Sequence, residues 1–281
     1  MHCTLAALTS EPGHPERPNE DWASVAVPAS GLGGCLVVLD GVTPPPGDDG
    51  CAHGVPWFTA RLGGTLIELS GSLRDIRLSE ILALSIRRTA DAHSNDCDLS
   101  HVRTPQAAVV VARWGERWVE HLVLSDSTLL LESPDGEVSA VRDDRLDRIP
   151  RETLRSLSAT DALRNQEGGF FTAAADPSVA DRAVTGRTPR SRVKALAALT
   201  DGASRWTDLF EAGGWQQLMG LLRLEGPQGL IGRVRALERE DAGPEPGTNT
   251  EAGAEAVPEG ARPRARRSKV HDDATAGYVR L

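Results

Sequence analysis

Between residues 107 and 141, four strand-like runs follow one another with only short breaks: Ala107–Ala112, Val119–Leu124, Thr128–Leu131 and Glu137–Val141. The last two flank Ser133-Pro134-Asp135-Gly136, a sequence suited to a hairpin turn. An earlier apolar run, Cys35–Leu39, ends at Asp40-Gly41 and reads as a buried strand entering a turn. Helical spacing surrounds this block, over 56–70 and 78–93 before it and over 176–183, 206–212, 214–223 and 227–240 after it. In the second of these, Leu78, Ile81, Leu82, Ser85, Ile86 and Thr89 share one face. Strands grouped together with helices on either side predict an antiparallel sheet core covered by helices. A length of 281 residues suits one large domain with ample chain for its core.

Composition narrows the function classes. Asp and Glu number 40 against 31 Lys and Arg, for a net charge of −9, and aromatics are only 4%. That balance argues against a general nucleic-acid binder, which needs a basic footprint and rings for stacking. No apolar run approaches the roughly 18 to 20 residues that span a bilayer, so no membrane partner is expected. Met1-His2-Cys3-Thr4-Leu5 lacks a basic segment followed by an apolar core. The four cysteines, Cys3, Cys35, Cys51 and Cys97, show no Cys-x-x-Cys spacing and read as reduced thiols. A soluble, cytoplasmic, monomeric protein is the expectation. Residues 241–268 hold four Gly, four Pro and one large aliphatic, Val257, in an acidic-then-basic run. Such a stretch buries too little to offset its ordering entropy. It is read as a disordered insertion before a final strand near Val270–Leu281, within a single domain spanning 1–281.

The chemistry-bearing feature is a series of acidic residues at strand ends and turns. Asp21 lies in Asn19-Glu20-Asp21-Trp22, Asp40 closes Val38-Leu39-Asp40-Gly41, and Asp126 lies in Leu124-Ser125-Asp126-Ser127. Asp201 lies in Leu199-Thr200-Asp201-Gly202, and Asp272 and Asp273 precede the last strand. Taken singly, each is an ordinary turn residue. Several converging on one end of a sheet would repel one another unless cations sat between them. All-oxygen ligand sets suit hard cations such as Mg²⁺ and Mn²⁺.

In order, these segments and the closing His271-Asp272-Asp273-Ala274-Thr275 resemble the metal-dependent PPM (type 2C) Ser/Thr protein phosphatases over nearly the whole chain. The resemblance implies an α+β, four-layer α-β-β-α sandwich with a central antiparallel β-sandwich. It implies a phosphomonoester hydrolase, acting on a phosphoprotein or a small phosphomonoester through a water activated between two Mg or Mn ions, with a possible third ion. Asp40 would bridge the two, the Gly41 carbonyl would bind one of them, and Asp201 and Asp272 would complete its shell. Asp21 would face the second ion, and Asp126 the third. Asp21, Asp40 and Asp201 would be the catalytic carboxylates. Arg17 is assigned to phosphate, although Glu16 holds the offset at which the family carries its arginine. The family's Asp-Gly-x-Gly-Gly turn is here Asp40-Gly41-Val42-Thr43-Pro44-Pro45-Pro46, whose prolines cannot donate N–H bonds. These departures leave a catalytically inactive phosphatase-like binding module as the alternative. Arg103 and Arg205 are further cations near the motifs.

Two smaller features read as ordinary structure. His93, Cys97 and His101 have soft-metal spacing only on one continuous helix, and Asn95-Asp96 reads instead as a helix terminus. Cys51-Ala52-His53 does not establish a nucleophile pair. The six tryptophans read as core or groove walls, and the Arg262–Lys269 cluster as self-neutralised by the acidic stretch before it.

Overall fold

A computed structural model describes residues 4–31, 33–242 and 270–281. Among these residues, ten strands form two five-stranded antiparallel sheets. One sheet carries β2 (Trp22–Ala26), β3 (Gly34–Gly41), β4 (Ala107–Trp114), β5 (Trp118–Leu124) and β8 (Val184–Pro189), in that order. The other runs β1 (Leu5–Glu11), β10 (Ala274–Arg280), β9 (Ala195–Leu199), β6 (Thr128–Glu132) and β7 (Val138–Arg142).

The apolar runs are continuous because both faces of each central strand are covered. In β3, Leu36 and Val38 face the opposite sheet, packing with Val110, Leu129, Leu196 and Val279. Val37 and Leu39 face outward, onto Phe58 and Leu62 of α1 (Val55–Ser72) and Ile81 and Ile86 of α2 (Leu78–His93). On the far side, Leu199, Ala276 and Tyr278 pack with Ala203 of α5 (Asp201–Asp208) and Leu218, Leu222 and Ile231 of α6 (Trp215–Ala242). The result is the expected four-layer α-β-β-α sandwich. Two short helices, α3 (Arg151–Leu154) and α4 (Leu157–Leu163), lie in the long connection from β7 to β8.

Several elements differ from the sequence reading. α5 begins at Asp201, not at 206, and the helix expected over 176–183 is a 3₁₀ helix, Pro177–Arg182, capped by Asp176. α6 is two helices meeting at Gly226, whose φ of 74° breaks the backbone just before Pro227. It continues through Asp241 and Ala242, so the expected insertion does not start at 241, and residues 243–268 lie outside the described residues. The hairpin at Ser133–Gly136 forms as expected, with the Gly136 N–H donating to the Ser133 carbonyl at 3.0 Å. Among the described residues, no helix is long and apolar enough to cross a membrane.

Candidate functional site

Strand pairing gathers the acidic segments at one end of the sandwich. Trp22 pairs with Leu39, which puts Asp21 beside the end of β3 and Asp40. Leu199 pairs with both Thr128 and Ala276, so Asp126, Asp201 and Asp272 approach from the connections around β6, β9 and β10. Gly41 pairs with Ala107, the first residue of β4, which holds that edge of the group.

A network of short bonds fixes the carboxylates. The Asp201 N–H, at the start of α5, donates to Asp40 Oδ2 at 3.0 Å. Thr200 Oγ1 donates to Asp21 Oδ2 at 3.0 Å and accepts the Thr275 N–H at 2.9 Å. The other Asp21 oxygen, Oδ1, is buried with no hydrogen-bond partner among the described residues. Asp273 accepts the N–H groups of Gly13 and Glu20, each at 2.7 Å, and so ties the loop before β2 to the start of β10. Two glycines are required by close approach. A Cβ on Gly41 would lie 2.4 Å from the Glu20 carbonyl oxygen, and one on Gly202 would lie 1.9 Å from that of Asp273.

The electrostatics are those of crowded acids. Burial pushes Asp21 from 3.8 up to about 8, with the charges of Asp273 and Asp201 adding to the shift. Asp40 is held well above the carboxylate range by burial first, then by Asp201, Asp21, Asp126 and Asp272. Asp126 is also raised, chiefly by burial. A buried oxygen without a partner, and acids raised by each other's charge, are what an all-oxygen cation site shows before its ions are counted. The donor set therefore fits Mg²⁺ or Mn²⁺.

No protein-family model matches the sequence, and no curated protein matches it by sequence. Solved structures do match. Stp1, a serine/threonine phosphatase from Staphylococcus aureus, is 10% identical, with a TM-score of 0.57 over 100% of this chain and 96% of that one. The catalytic domain of the serine/threonine protein phosphatase PstP, in complex with two manganese ions, is 14% identical, with a TM-score of 0.57 over 99% and 97%. A variant of a bacterial serine phosphatase is 12% identical, with a TM-score of 0.58 over 99% and 98%. The chain has the PPM phosphatase fold.

On this fold, the structure places Arg17 on the lining of a cleft of about 130 Å³ shared with Glu20, Thr43, Asp272 and Asp273. The other two arginines are engaged elsewhere. Arg103 grips Asp161 Oδ2 through Nε at 3.0 Å and Nη2 at 2.8 Å. Arg205 donates to Glu238 Oε1 at 2.6 Å and to Asp272 Oδ2 at 3.0 Å. Glu238, fully buried on α6, also meets Arg235 and His271, each at 2.8 Å. Burial alone would raise Glu238, but its three basic partners hold it below the usual range. This ionic knot anchors Asp272, and nothing in the local sequence around Glu238 signals it. Asp143 is a second residue the sequence reading missed. It is buried, pairs with Arg145 at 2.6 Å, and accepts the N–H of Ser125 at 3.0 Å, whose φ of 69° turns the chain into Asp126.

Outside the carboxylates, the structure joins the two smaller features that read as ordinary. His93 and Cys97 do meet possible metal ligands, but these are Cys51 and His53 rather than His101, and the four ligand atoms lie within 4.8 Å of one another. The carboxylates form no such compact set among the described residues.

Proposed function

We propose that this chain hydrolyses phosphomonoesters, as a serine/threonine protein phosphatase dependent on two Mg²⁺ or Mn²⁺ ions. One observation carries the reading: five carboxylates converge at one end of the sandwich, with a buried Asp21 oxygen that no hydrogen bond from the described residues satisfies. The fold, and the two manganese ions bound by the PstP catalytic domain, support it.

Asp40, the Gly41 carbonyl, Asp201 and Asp272 would hold one ion, Asp40 and Asp21 the second, and Asp126 a third. Because the carboxylates are not drawn into a compact cage, part of each shell would be water, as Mg²⁺ prefers. Divalent cations bound there lower the pKa of a nearby water and offset charge on the phosphoryl oxygens. The chain's own residues do the positioning. The Asp201 N–H orients Asp40 through Oδ2. Arg205 sets Asp272 by holding one of its oxygens. Asp273 fixes the loop that carries Arg17, and Arg17 would pair with the phosphate at the mouth of the cleft.

The test is hydrolysis of p-nitrophenyl phosphate with Mn²⁺, Mg²⁺ or EDTA, by wild type and by Asp40→Asn. Metal-dependent turnover that the folded variant loses is the expected result. Turnover that survives in Asp40→Asn, or is indifferent to EDTA, refutes the assignment. A folded, metal-loaded wild type with no turnover would favour a phosphate-binding module on the same site.

A further inference from the structure

We infer that Cys51, His53, His93 and Cys97 form a structural zinc site that clamps the segment before α1 to the end of α2. The two halves are distant in sequence. Cys51 and His53 lie in the connection from β3 to α1, His93 is the last residue of α2, and Cys97 follows in the next loop. The contacts run from one half to the other. Cys51 Sγ lies 3.6 Å from His93 Nδ1, Cys97 Sγ lies 3.3 Å from His53 Nδ1, and the two sulfurs lie 3.3 Å apart. Within the first half, Cys51 Sγ lies 3.8 Å from His53 Nδ1.

These are the edges of a small tetrahedron. Zn–S bonds of about 2.3 Å and Zn–N bonds of about 2.0–2.1 Å give edges of roughly 3.5 Å between S and N and roughly 3.8 Å between two sulfurs. The sulfur separation is far longer than the 2.03–2.05 Å or so of a disulfide. Four protein ligands leave no open position, which marks a structural site rather than a catalytic one. The donors are thiols and imidazoles, the opposite choice from the all-oxygen carboxylate group, and they select zinc over magnesium or manganese.

The surroundings hold the ligands in place. The His53 ring stacks on Trp57 at 4.3 Å, and the His93 ring lies 5.1 Å from the same indole. His93 is buried. The Asp98 N–H donates to the Gly50 carbonyl at 2.7 Å and brings the two loops together beside the cluster. Binding releases two protons, one from each thiol, and leaves both imidazoles neutral. The ion would pin the far end of the connection that starts at Gly41 and carries Pro44, Pro45 and Pro46. The inference stands whether or not the chain hydrolyses phosphate.

The test uses the full chain, purified under reducing conditions without chelator. Metal analysis should find about one zinc per chain in the wild type, and almost none in a Cys51→Ser, Cys97→Ser double variant. Cobalt added to zinc-stripped wild type should produce a thiolate-to-cobalt charge-transfer band and the strong visible bands of tetrahedral cobalt, both lost on adding zinc. Cobalt at the carboxylates has no sulfur ligand, so it cannot mimic the charge-transfer band. The wild-type spectrum alone decides the matter if the double variant fails to fold. Cobalt bands without sulfur character, a Cys51–Cys97 disulfide in the isolated protein, or both thiols freely alkylated in the zinc-loaded protein would each overturn the assignment.

Discussion

In the metal-free protein, Asp21→Asn should remove a loss of stability that develops as pH rises. Folded Asp21 titrates near 8 instead of 3.8 because it is buried and faces Asp273 and Asp201. Between these values the folded state keeps a proton that the unfolded chain has released. A raised acid therefore stabilises the fold at low pH, and that contribution disappears as pH climbs towards 8. Each pH unit removes about 1.36 kcal/mol per proton, so Asp21 alone lowers stability by about 2.7 kcal/mol from pH 5 to pH 7. Only 8% of Asp21 is exposed, so solvent screens little of this. His93 and His121, both lowered by burial, act in the opposite direction but are present in both proteins. Asp21 also helps to raise Asp40, so its removal flattens the profile further. The assay is urea denaturation in EDTA at pH 5 and pH 7, read as the wild-type change minus the variant change. Asparagine keeps the size of the side chain and can still accept from Thr200. Adding Mn²⁺ should restore wild-type stability at pH 7 and do much less for the variant. Equal pH slopes for the two proteins would refute the reasoning, since a solvated or already neutralised Asp21 would behave that way.

Three further substitutions probe the frame around the site. Glu238→Gln leaves Arg205 and Arg235 facing each other without their shared carboxylate and should cost about 3–5 kcal/mol, measured by urea denaturation; a cost under about 1 kcal/mol would mean that the knot contributes little. Gly202→Ala drives a Cβ into the Asp273 carbonyl and should cost about 3 kcal/mol or more while displacing Asp201, visible as a lower thermal midpoint and weaker metal binding. Arg17→Ala should raise KM for p-nitrophenyl phosphate by roughly tenfold, with a smaller change in kcat and no change in thermal midpoint; an unchanged KM would move phosphate recognition elsewhere in the cleft.

The central strands were legible because both of their faces are buried, which makes each one a continuous apolar run. The edges were not. β1, β2 and β8 are partly exposed, and their mixed sequences, such as Val184-Thr-Gly-Arg-Thr-Pro189, show neither a clean alternation nor an apolar run. α5 was misplaced for a different reason. Asp201-Gly202 reads locally as a turn, but Thr200 is the N-cap and Asp201 puts its negative charge at the positive end of the helix. Gly202 is there to let the Asp273 backbone pass, a constraint that only the folded pair reveals.

The same distinction separates the two candidate metal sites. Each carboxylate sits at the end of a recognisable strand or in a recognisable turn, so the order of the segments carries a signal even though each segment is weak alone. The Cys and His ligands come as a pair at 51 and 53 and a pair at 93 and 97; the first has no metal-site spacing, and the second has it only on a continuous helix, which ends at His93. Their meeting depends on α1 and α2 packing side by side over the same sheet, which brings the start of one helix to the end of the other. The two groups also differ in how they tolerate an absent cation. Without an ion, the two imidazoles still pack against Trp57. The carboxylates carry a standing cost, because burial, with their mutual repulsion added to it, raises Asp40 and Asp21 far from their ordinary values. Loss of zinc should therefore loosen a loop at a cost that grows with pH, because binding releases the two thiol protons; loss of magnesium or manganese should also weaken the sandwich end increasingly as pH rises, there because buried carboxylates must give up their protons.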